Sequence, residues 1–447
     1  MSLGISWLLT EKRRKILLLA LPILGGMASQ NVLNLVDTAM VGYLGDAALA
    51  ATGMGGFANF IAASVLMGMA TGVQAIAARR VGEGRNEEVA VPLNGGLLLS
   101  LLIGVPAALL LWHAAPSIFP FLVDDPEVVK HGVPYLQMRL LALPSVGMNF
   151  AFRGYWNGVN RSGNYMRTLM VMHITNIGLN WVLIYGNLGA PEMGTAGSGL
   201  ATTLASWLGI VLYLAQGWWE ARGAGFLKRL PSLTDLRTMA RLALPAGVQQ
   251  LFFAAGMTCL FKIVALVGTA ELAAANVLVQ LLLVAILPGI AFGLTSASLV
   301  GQCLGRKDAD GAYREAVDVA KLGAVLVGVM ALPAVVVPDL LLRPFLHDAA
   351  TRALAHWPMR IVGLTIGVDT IGMVMLSSLQ GAGDSRRTMI VAVVMQWCLF
   401  LPAAYLVGPV LGLGLTGIWL AQVAYRGAQA LLFVRMWRGG AWRSIRL

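Results

Sequence analysis

The sequence predicts an all-α polytopic membrane protein, with twelve transmembrane helices in two pseudo-symmetric six-helix bundles. Of its 447 residues, 58% are hydrophobic and only 12% are charged, about half the charged fraction of a soluble domain. Apolar stretches of about 20 residues, long enough to cross a bilayer, recur along the whole chain. Because these runs are continuous rather than alternating, they exclude a transmembrane β-barrel. The second half of the chain repeats the pattern of the first.

Twelve apolar segments, separated by polar connections, are the predicted spans. Those over 47–78 and 272–304 are long enough to tilt or to extend beyond the lipid. The predicted spans are 16–40, 47–78, 92–112, 133–157, 167–186, 195–219, 242–267, 272–304, 316–342, 357–380, 388–408 and 414–436.

Lysine and arginine residues cluster in alternate connections, as they do in cytoplasmic loops. This distribution predicts that both termini are cytoplasmic, which agrees with an even number of spans. We expect no cleavable signal peptide, since the first apolar run is too long for one, and a multi-pass protein of the bacterial cytoplasmic (inner) membrane. The basic clusters lie within 12–15, 79–85, 161–167, 222–241, 306–314, 386–387 and 435–446.

Short motifs repeat between the two halves. LALP at 19–22 returns at 242–245, an offset of 223, and RSGNYMRT at 161–168 matches GAGDSRRT at 381–388. Each unit holds six spans, so the two repeats share their orientation in the membrane, an arrangement that is typical of transporters. The predicted units are an N-terminal bundle, 1–219, a cytoplasmic linker, 220–241, and a C-terminal bundle, 242–447.

Composition and motifs exclude several functional classes. The net charge of +11 comes from loop clusters rather than from a basic domain, so we expect no nucleic-acid partner. Cys259, Cys303 and Cys398 are scattered in apolar context and form neither a disulfide framework nor a metal-ligand spacing. No phosphate-binding loop or zinc-protease motif is present. We therefore expect no enzyme, no metal and no cofactor, and transport that uses an ion gradient or runs downhill.

A carboxylate in the first span is the strongest candidate for a functional residue. Placing an ionised Asp37 in hydrocarbon costs about 2.5–3.5 kcal/mol, so a residue of this kind is functional by default. Pro22 lies in the same span, where it removes a backbone hydrogen bond and permits a kink. Protonation of Asp37 could thus be coupled to bending. The alternatives are that Asp37 caps a helix or lies at the interface, and that Pro22 is a static kink.

Three polar stripes in the N-terminal half predict a shared polar interior. Their members are spaced three or four residues apart, so each stripe lies on one helical face. At 1.5 Å per residue, Asp37, Asn180 and Thr202 all fall in the outer half of the bilayer, where a carboxylate among amides and hydroxyls can bind a proton. Hydrogen bonding between helices is the competing explanation. The stripes are Gln30, Asn34 and Asp37; His173, Asn176 and Asn180; and Ser198, Thr202 and Ser206. The predicted substrate cavity is lined by Met27, Gln30, His173 and Ser206.

The C-terminal half does not copy this site. At the repeat offset, Leu260 stands where Asp37 would be. Lys262 and Asp369 are secondary candidates instead. Asp369 lies near mid-membrane, where it requires a partner or a cavity. Lys262 lies near a helix end, where we expect its side chain to extend to the interface.

LALP at the start of each half, LVDTAMVGYLG at 35–45 and the two six-span bundles resemble the MATE family of multidrug and toxic compound extrusion transporters, and its DinF-like branch in particular. The resemblance covers nearly the whole chain. It implies export of small cationic or amphipathic compounds in exchange for H⁺ or Na⁺. It also implies a first helix that bends, which fits Pro22.

The resemblance also assigns roles to single residues. It implies that Asp37 binds the coupling ion, that Asn176 and Asn180 fall on an NxxxD pattern of the fifth helix, and that Thr202 is their partner in the sixth. Because Asn180 replaces the carboxylate of that pattern, the resemblance favours H⁺ over Na⁺. Asp369 looks like a tenth-helix aspartate of the NorM branch, whose seventh-helix glutamate is missing here.

The sequence is thus interpreted as a proton-coupled multidrug exporter, a monomer in the lipid bilayer, that alternates between outward-open and inward-open forms. A Na⁺-coupled antiporter is the nearest alternative. A lipid-precursor flippase is the second alternative, although its cavity would carry several cationic residues, and we expect few in this interior. A membrane-embedded enzyme is the most distant alternative, because no motif supports it.

Overall fold

A computed structural model describes residues 11–346 and 348–447, and in this part of the chain every regular element is helical. The predicted all-α fold is confirmed. The N-terminal half contains α1 (Glu11–Gly42), α2 (Asp46–Met67), α3 (Met69–Gly82), α4 (Val91–Ile118), α5 (Pro126–Leu140), α6 (Leu143–Gly158), α7 (Ser162–Tyr185) and α8 (Gly194–Glu220). The C-terminal half contains α9 (Leu233–Ala265), α10 (Thr269–Gly305), α11 (Ala309–Met330), α12 (Leu332–Val336), α13 (Pro338–Leu342), α14 (Ala349–Ala382), α15 (Ser385–Val394), α16 (Leu401–Tyr405) and α17 (Gly414–Arg438).

Nine helical stretches of the described residues are long and apolar enough to cross a membrane. The other three predicted spans are helical too, but each is divided or more polar. The fourth is divided into α5 and α6, the ninth into α11, α12 and α13, and the twelfth, α17, contains Arg426. The eleventh continues from α15 through π-helical turns at Met395–Phe400 and Leu406–Val410.

The described contacts group the chain into two compact units. The N-terminal unit is Gly25–Val248, and the C-terminal unit combines the described residues up to Leu24 with those of Gln249–Leu447. The predicted boundaries at 219 and 242 follow the sequence repeat, whereas these units divide within α1 and within α9. A helix of more than 30 residues contacts different neighbours along its length, which is why one helix can belong to two units.

Close helix contacts hold the N-terminal unit together. Gly154 of α6 lies against α3 so tightly that a Cβ at this position would be 2.3 Å from the Ala70 carbonyl oxygen. Gly197 of α8 approaches the Leu183 carbonyl of α7 in the same way, at 2.4 Å. Small residues of this kind let helices approach closely in lipid, where packing rather than water exclusion drives association. The approach of α8 to α7 aligns two of the predicted polar stripes.

The C-terminal unit has a continuous apolar core. Val300 of α10, Val319 of α11 and Val374 of α14 are fully buried in it, and Ile16 and Ala20 of α1 belong to the same cluster. The first turn of α1 also makes ion pairs in this unit: Lys12 Nζ is 2.5 Å from Asp318 and 3.3 Å from Glu315. α1 continues past Pro22 as a single helix.

Candidate functional site

Helix α7 presents Asn180 to Asp37 of α1. The Asn180 Nδ2 atom donates a hydrogen bond of 2.6 Å to Asp37 Oδ1. Asn180 is fully buried, and Asp37 is half-buried. Hydrogen bonds to an ionised carboxylate are shorter and stronger than those between neutral groups. The predicted juxtaposition of Asp37 and Asn180 is therefore present as a direct contact.

The contact extends into a chain of four side chains. Asn180 Nδ2 also lies 3.1 Å from Asn176 Oδ1, and Asn176 Nδ2 lies 3.0 Å from Thr202 Oγ1 of α8. Reversing the Asn176 amide satisfies its neighbours better: Nδ2 then donates to Asp37 Oδ1 at 2.9 Å and Oδ1 accepts from Thr202 Oγ1 at 3.0 Å. We favour this orientation, which the hydrogen-bond network decides, because it directs two amide donors at the carboxylate.

A second polar contact joins the same two helices nearer the middle of α1. Gln30 Nε2 donates to Asn34 Oδ1 at 3.2 Å, and Gln30 Oε1 is 3.1 Å from His173 Nε2 of α7. The other ring nitrogen of His173 is buried without a hydrogen-bond partner. Met27 is half-buried one turn away on α1. Asn34 is thus paired with Gln30, one turn from Asp37.

Ser206 belongs to a different group of polar side chains. Its Oγ atom is 2.9 Å from Ser145 Oγ and accepts a hydrogen bond of 3.1 Å from Asn149 Nδ2. Ser145 and Asn149 lie on α6, so Ser206 contacts α6 rather than α1. The structure therefore brings Gln30 and His173 together, with Met27 beside them, and leaves Ser206 apart from that group.

Arg139 of α5 was missed by the sequence analysis. Its charge acts electrostatically on Asp37, and its Nε atom is buried without a hydrogen-bond partner. An arginine inside an apolar span is a signal that the sequence does contain, because such a residue needs a counter-charge. The site therefore contains a cation as well as a carboxylate.

The expectation of few cationic residues in the interior needs correction. Besides Arg352 near the start of α14, four arginines outside the basic loop clusters lie within the described membrane helices. Arg153 lies over the rings of Phe150 and Tyr165, at 5.2 and 5.9 Å from their centroids, so a cation–π contact replaces part of its hydration. The four are Arg139, Arg153, Arg360 and Arg426.

Arg426 of α17 pairs with Asp369 of α14. Arg426 Nε is 2.6 Å from Asp369 Oδ1, and Arg426 Nη2 is 2.7 Å from Asp369 Oδ2, which is the bidentate geometry of the strongest ion pairs. Both residues line a cavity of about 150 Å³ in the C-terminal unit. Asp369 thus has both the partner and the cavity that its depth requires. Lys262 is exposed in the last turn of α9 and does not line this cavity.

A family comparison matches the chain twice. The model of the MatE family matches residues 22–182 and again residues 245–406. The two matches begin at Pro22 and Pro245, which are separated by the same 223 residues as the LALP repeat. The chain belongs to the MatE family. It is accordingly a transporter rather than an enzyme, and the resemblance on which the sequence analysis relied is confirmed.

Relatives of this MatE protein align over nearly its whole length. A probable multidrug resistance protein NorM from Pseudomonas putida is 28% identical, over 96% of this chain and 95% of the relative. Another, from Thermotoga maritima, is 25% identical over 95% and 92% of the two chains. A crystal structure of MATE in the straight conformation shares the fold, with a TM-score of 0.88 at 20% identity over 99% of both chains. Membership in the DinF-like branch stays a prediction.

Proposed function

We propose that this MatE protein exports small cationic or amphipathic compounds across a bacterial cytoplasmic (inner) membrane in exchange for protons. In this proposal Asp37 is the coupling carboxylate, both termini are cytoplasmic, and the protein works as a monomer. The P. putida and T. maritima relatives, described as probable multidrug resistance proteins, support the substrate class. The main support for H⁺ as the coupling ion is the contact between Asn180 and Asp37.

The groups around Asp37 favour a proton over Na⁺. Asn180 directs its amide nitrogen at the carboxylate, and the preferred orientation of Asn176 does the same. An amide nitrogen donates a hydrogen bond and cannot coordinate a hard cation, which requires several oxygen ligands. Arg139 adds a positive charge that acts on Asp37 and would repel a metal ion. A proton needs only one carboxylate oxygen.

Protonation of Asp37 would loosen the contact between α1 and α7. The ionised carboxylate accepts a charge-assisted hydrogen bond, worth about 1.5–3 kcal/mol, whereas a neutral acid accepts one worth about 0.5–1.5 kcal/mol. The weaker hydrogen bond would hold α1 less firmly against α7. α1 could then bend at Pro22, where a backbone hydrogen bond is already missing. Gln30, His173 and Met27 lie on the same pair of helices, so the bending would alter the region in which we expect the substrate to bind.

Transport in proteoliposomes tests this proposal. A pH gradient and a Na⁺ gradient are imposed separately while a fluorescent cationic substrate is followed in wild type, Asp37→Asn and Asp46→Asn. Asp46 is exposed at the start of α2, so its substitution removes a charge outside the site. We expect the pH gradient alone to drive transport in wild type and in Asp46→Asn, and to fail in Asp37→Asn.

Other outcomes would replace the proposal with one of its alternatives. Transport driven by the Na⁺ gradient alone would establish the Na⁺-coupled antiporter. Full proton-driven transport in Asp37→Asn would remove Asp37 from the coupling role. Loss of the substrate signal under both gradients, together with movement of an anionic lipid across the bilayer, would favour the flippase.

A further inference from the structure

We propose that the cavity of the C-terminal unit is a second small-molecule site, specific for single-ring amphipathic compounds with an uncharged hydrogen-bond donor. Arg426 keeps cations out of this site by occupying Asp369. The proposal concerns binding within one unit and does not depend on the coupling role of Asp37.

The size of the cavity limits its ligand to about one aromatic ring. The volume is about 150 Å³, and an apolar cavity of this size holds benzene. Most of the lining is apolar and includes a flexible methionine, which adapts to ligands of different shape. The apolar part of the wall includes Phe253, Met257, Ile286, Val362, Ile366 and Phe400.

The lining of the cavity offers a free hydrogen-bond acceptor. The Gln422 Oε1 atom is buried without a partner, and Gln422 lines the cavity. An unsatisfied buried acceptor costs about 1–3 kcal/mol, and a ligand that donates a hydrogen bond recovers part of this cost. The other amide of the lining belongs to Gln396, whose Nε2 atom donates to the Phe253 carbonyl at 3.4 Å. We assign recognition of the donor to Gln422, because its Oε1 atom is the one that is buried without a partner.

The two charges in the lining, Asp369 and Arg426, cancel each other. Both oxygens of Asp369 accept hydrogen bonds from Arg426, at 2.6 and 2.7 Å. A cationic ligand would have to approach the guanidinium or displace it from a bidentate contact in an apolar surrounding, where breaking a buried pair is costly. A neutral ligand meets neither penalty. Without Arg426, the carboxylate would face the cavity and would attract a cation.

Photoaffinity labelling of the purified full-length protein in nanodiscs tests the site. The probe is a trifluoromethyl-diazirinyl phenol, and labelled peptides are mapped by mass spectrometry. Three competitors are compared at equal concentration in the lipid phase: 4-propylphenol, propylbenzene and 4-propylbenzylammonium. The variants are Gln422→Leu, Arg426→Gln, the double variant Asp369→Asn/Arg426→Gln, and Asp37→Asn, each used only after size-exclusion chromatography shows a monodisperse protein.

In wild type we expect labelling within 362–369 or 422–427. The phenol should reduce this labelling about tenfold more effectively than propylbenzene does, and the ammonium compound should not reduce it. Gln422→Leu should abolish the advantage of the phenol. Arg426→Gln should make the ammonium compound at least about tenfold more effective, whereas the double variant should not. Asp37→Asn should label like wild type, so failure of the coupling proposal and failure of this one give different results.

Three outcomes would overturn the inference. Absence of labelling at both segments would show that the cavity is not a site. Equal competition by the phenol and the ammonium compound in wild type would show that the ion pair does not select against cations. An unchanged order of competitors in Arg426→Gln would show that Asp369 does not face the ligand.

Discussion

Asn180 of α7 donates a hydrogen bond of 2.6 Å to Asp37 of α1, and these two residues are separated by 143 positions in the sequence. Asp37 is the only acidic side chain of the four-residue chain that it forms with Asn180, Asn176 and Thr202. If Asp37 takes up a proton, these four side chains therefore lose their one negative charge.

A carboxylate in place of the Asn180 amide should change the ion response. In Asn180→Asp two carboxylates lie within hydrogen-bond distance, and like charges at this distance hold a proton between them. We expect proton-driven transport to extend to higher pH and a Na⁺ gradient to begin to drive transport. Initial rates measured from pH 5 to pH 9 with each gradient check this. Asn180→Ala, which removes the donor without adding charge, should show slower transport and no Na⁺ response.

Thr202 should contribute to the site through Asn176 alone. In Thr202→Val the hydroxyl group that holds the Asn176 amide is lost while the shape is kept. We expect proton-driven transport to fall about fivefold, which corresponds to about 1 kcal/mol for one hydrogen bond. The matched control is Thr203→Val, because Thr203 donates to the Met138 carbonyl outside the chain. A larger loss in Thr203→Val than in Thr202→Val would contradict this assignment.

Pro22 should matter for the rate of transport more than for binding. Pro22→Ala restores a backbone hydrogen bond and stiffens α1. We expect the transport rate to fall at least about tenfold, while the substrate affinity stays within about twofold of the wild-type value. Pro245→Ala is the control from the equivalent position of the repeat, in α9, where the residue corresponding to Asp37 is Leu260. Equal rates in wild type and Pro22→Ala would show that the proline is a static kink.

The contact of α6 with α3 should tolerate no added carbon. In Gly154→Ala the new Cβ would lie 2.3 Å from the Ala70 carbonyl oxygen, so the helices must separate, at a cost of about 1–3 kcal/mol. We expect a lower midpoint of thermal unfolding in detergent. Gly178→Ala on α7 is the control, because no atom lies within 4 Å of its Cβ position, and it should stabilise the helix by about 0.5–1 kcal/mol.

Several elements could be predicted from the sequence because they depend on one helix at a time. The spans follow from the length of apolar runs, and the stripes containing Asp37, Asn176 and Thr202 follow from spacing along each helix. The depth argument placed Asp37, Asn180 and Thr202 in the same half of the bilayer, and the structure joins them through Asn176. By contrast, Ser206 shares the stripe of Thr202 but contacts Ser145 and Asn149 of α6 instead, because a stripe on α8 is wide enough to face two neighbours.

The sequence by itself determined the all-helical membrane fold, the internal repeat and the carboxylate in the first span. Only the tertiary structure decided that the charge of Arg139 acts on Asp37, that Arg426 pairs with Asp369, and that the two parts of α1 belong to different units. The physical reason is that a pair such as Asp369 and Arg426 depends on the rotation of each helix about its axis. In a membrane both the lipid-facing and the bundle-facing surfaces of a helix are apolar, so the hydrophobic pattern leaves that rotation open, and packing between helices sets it.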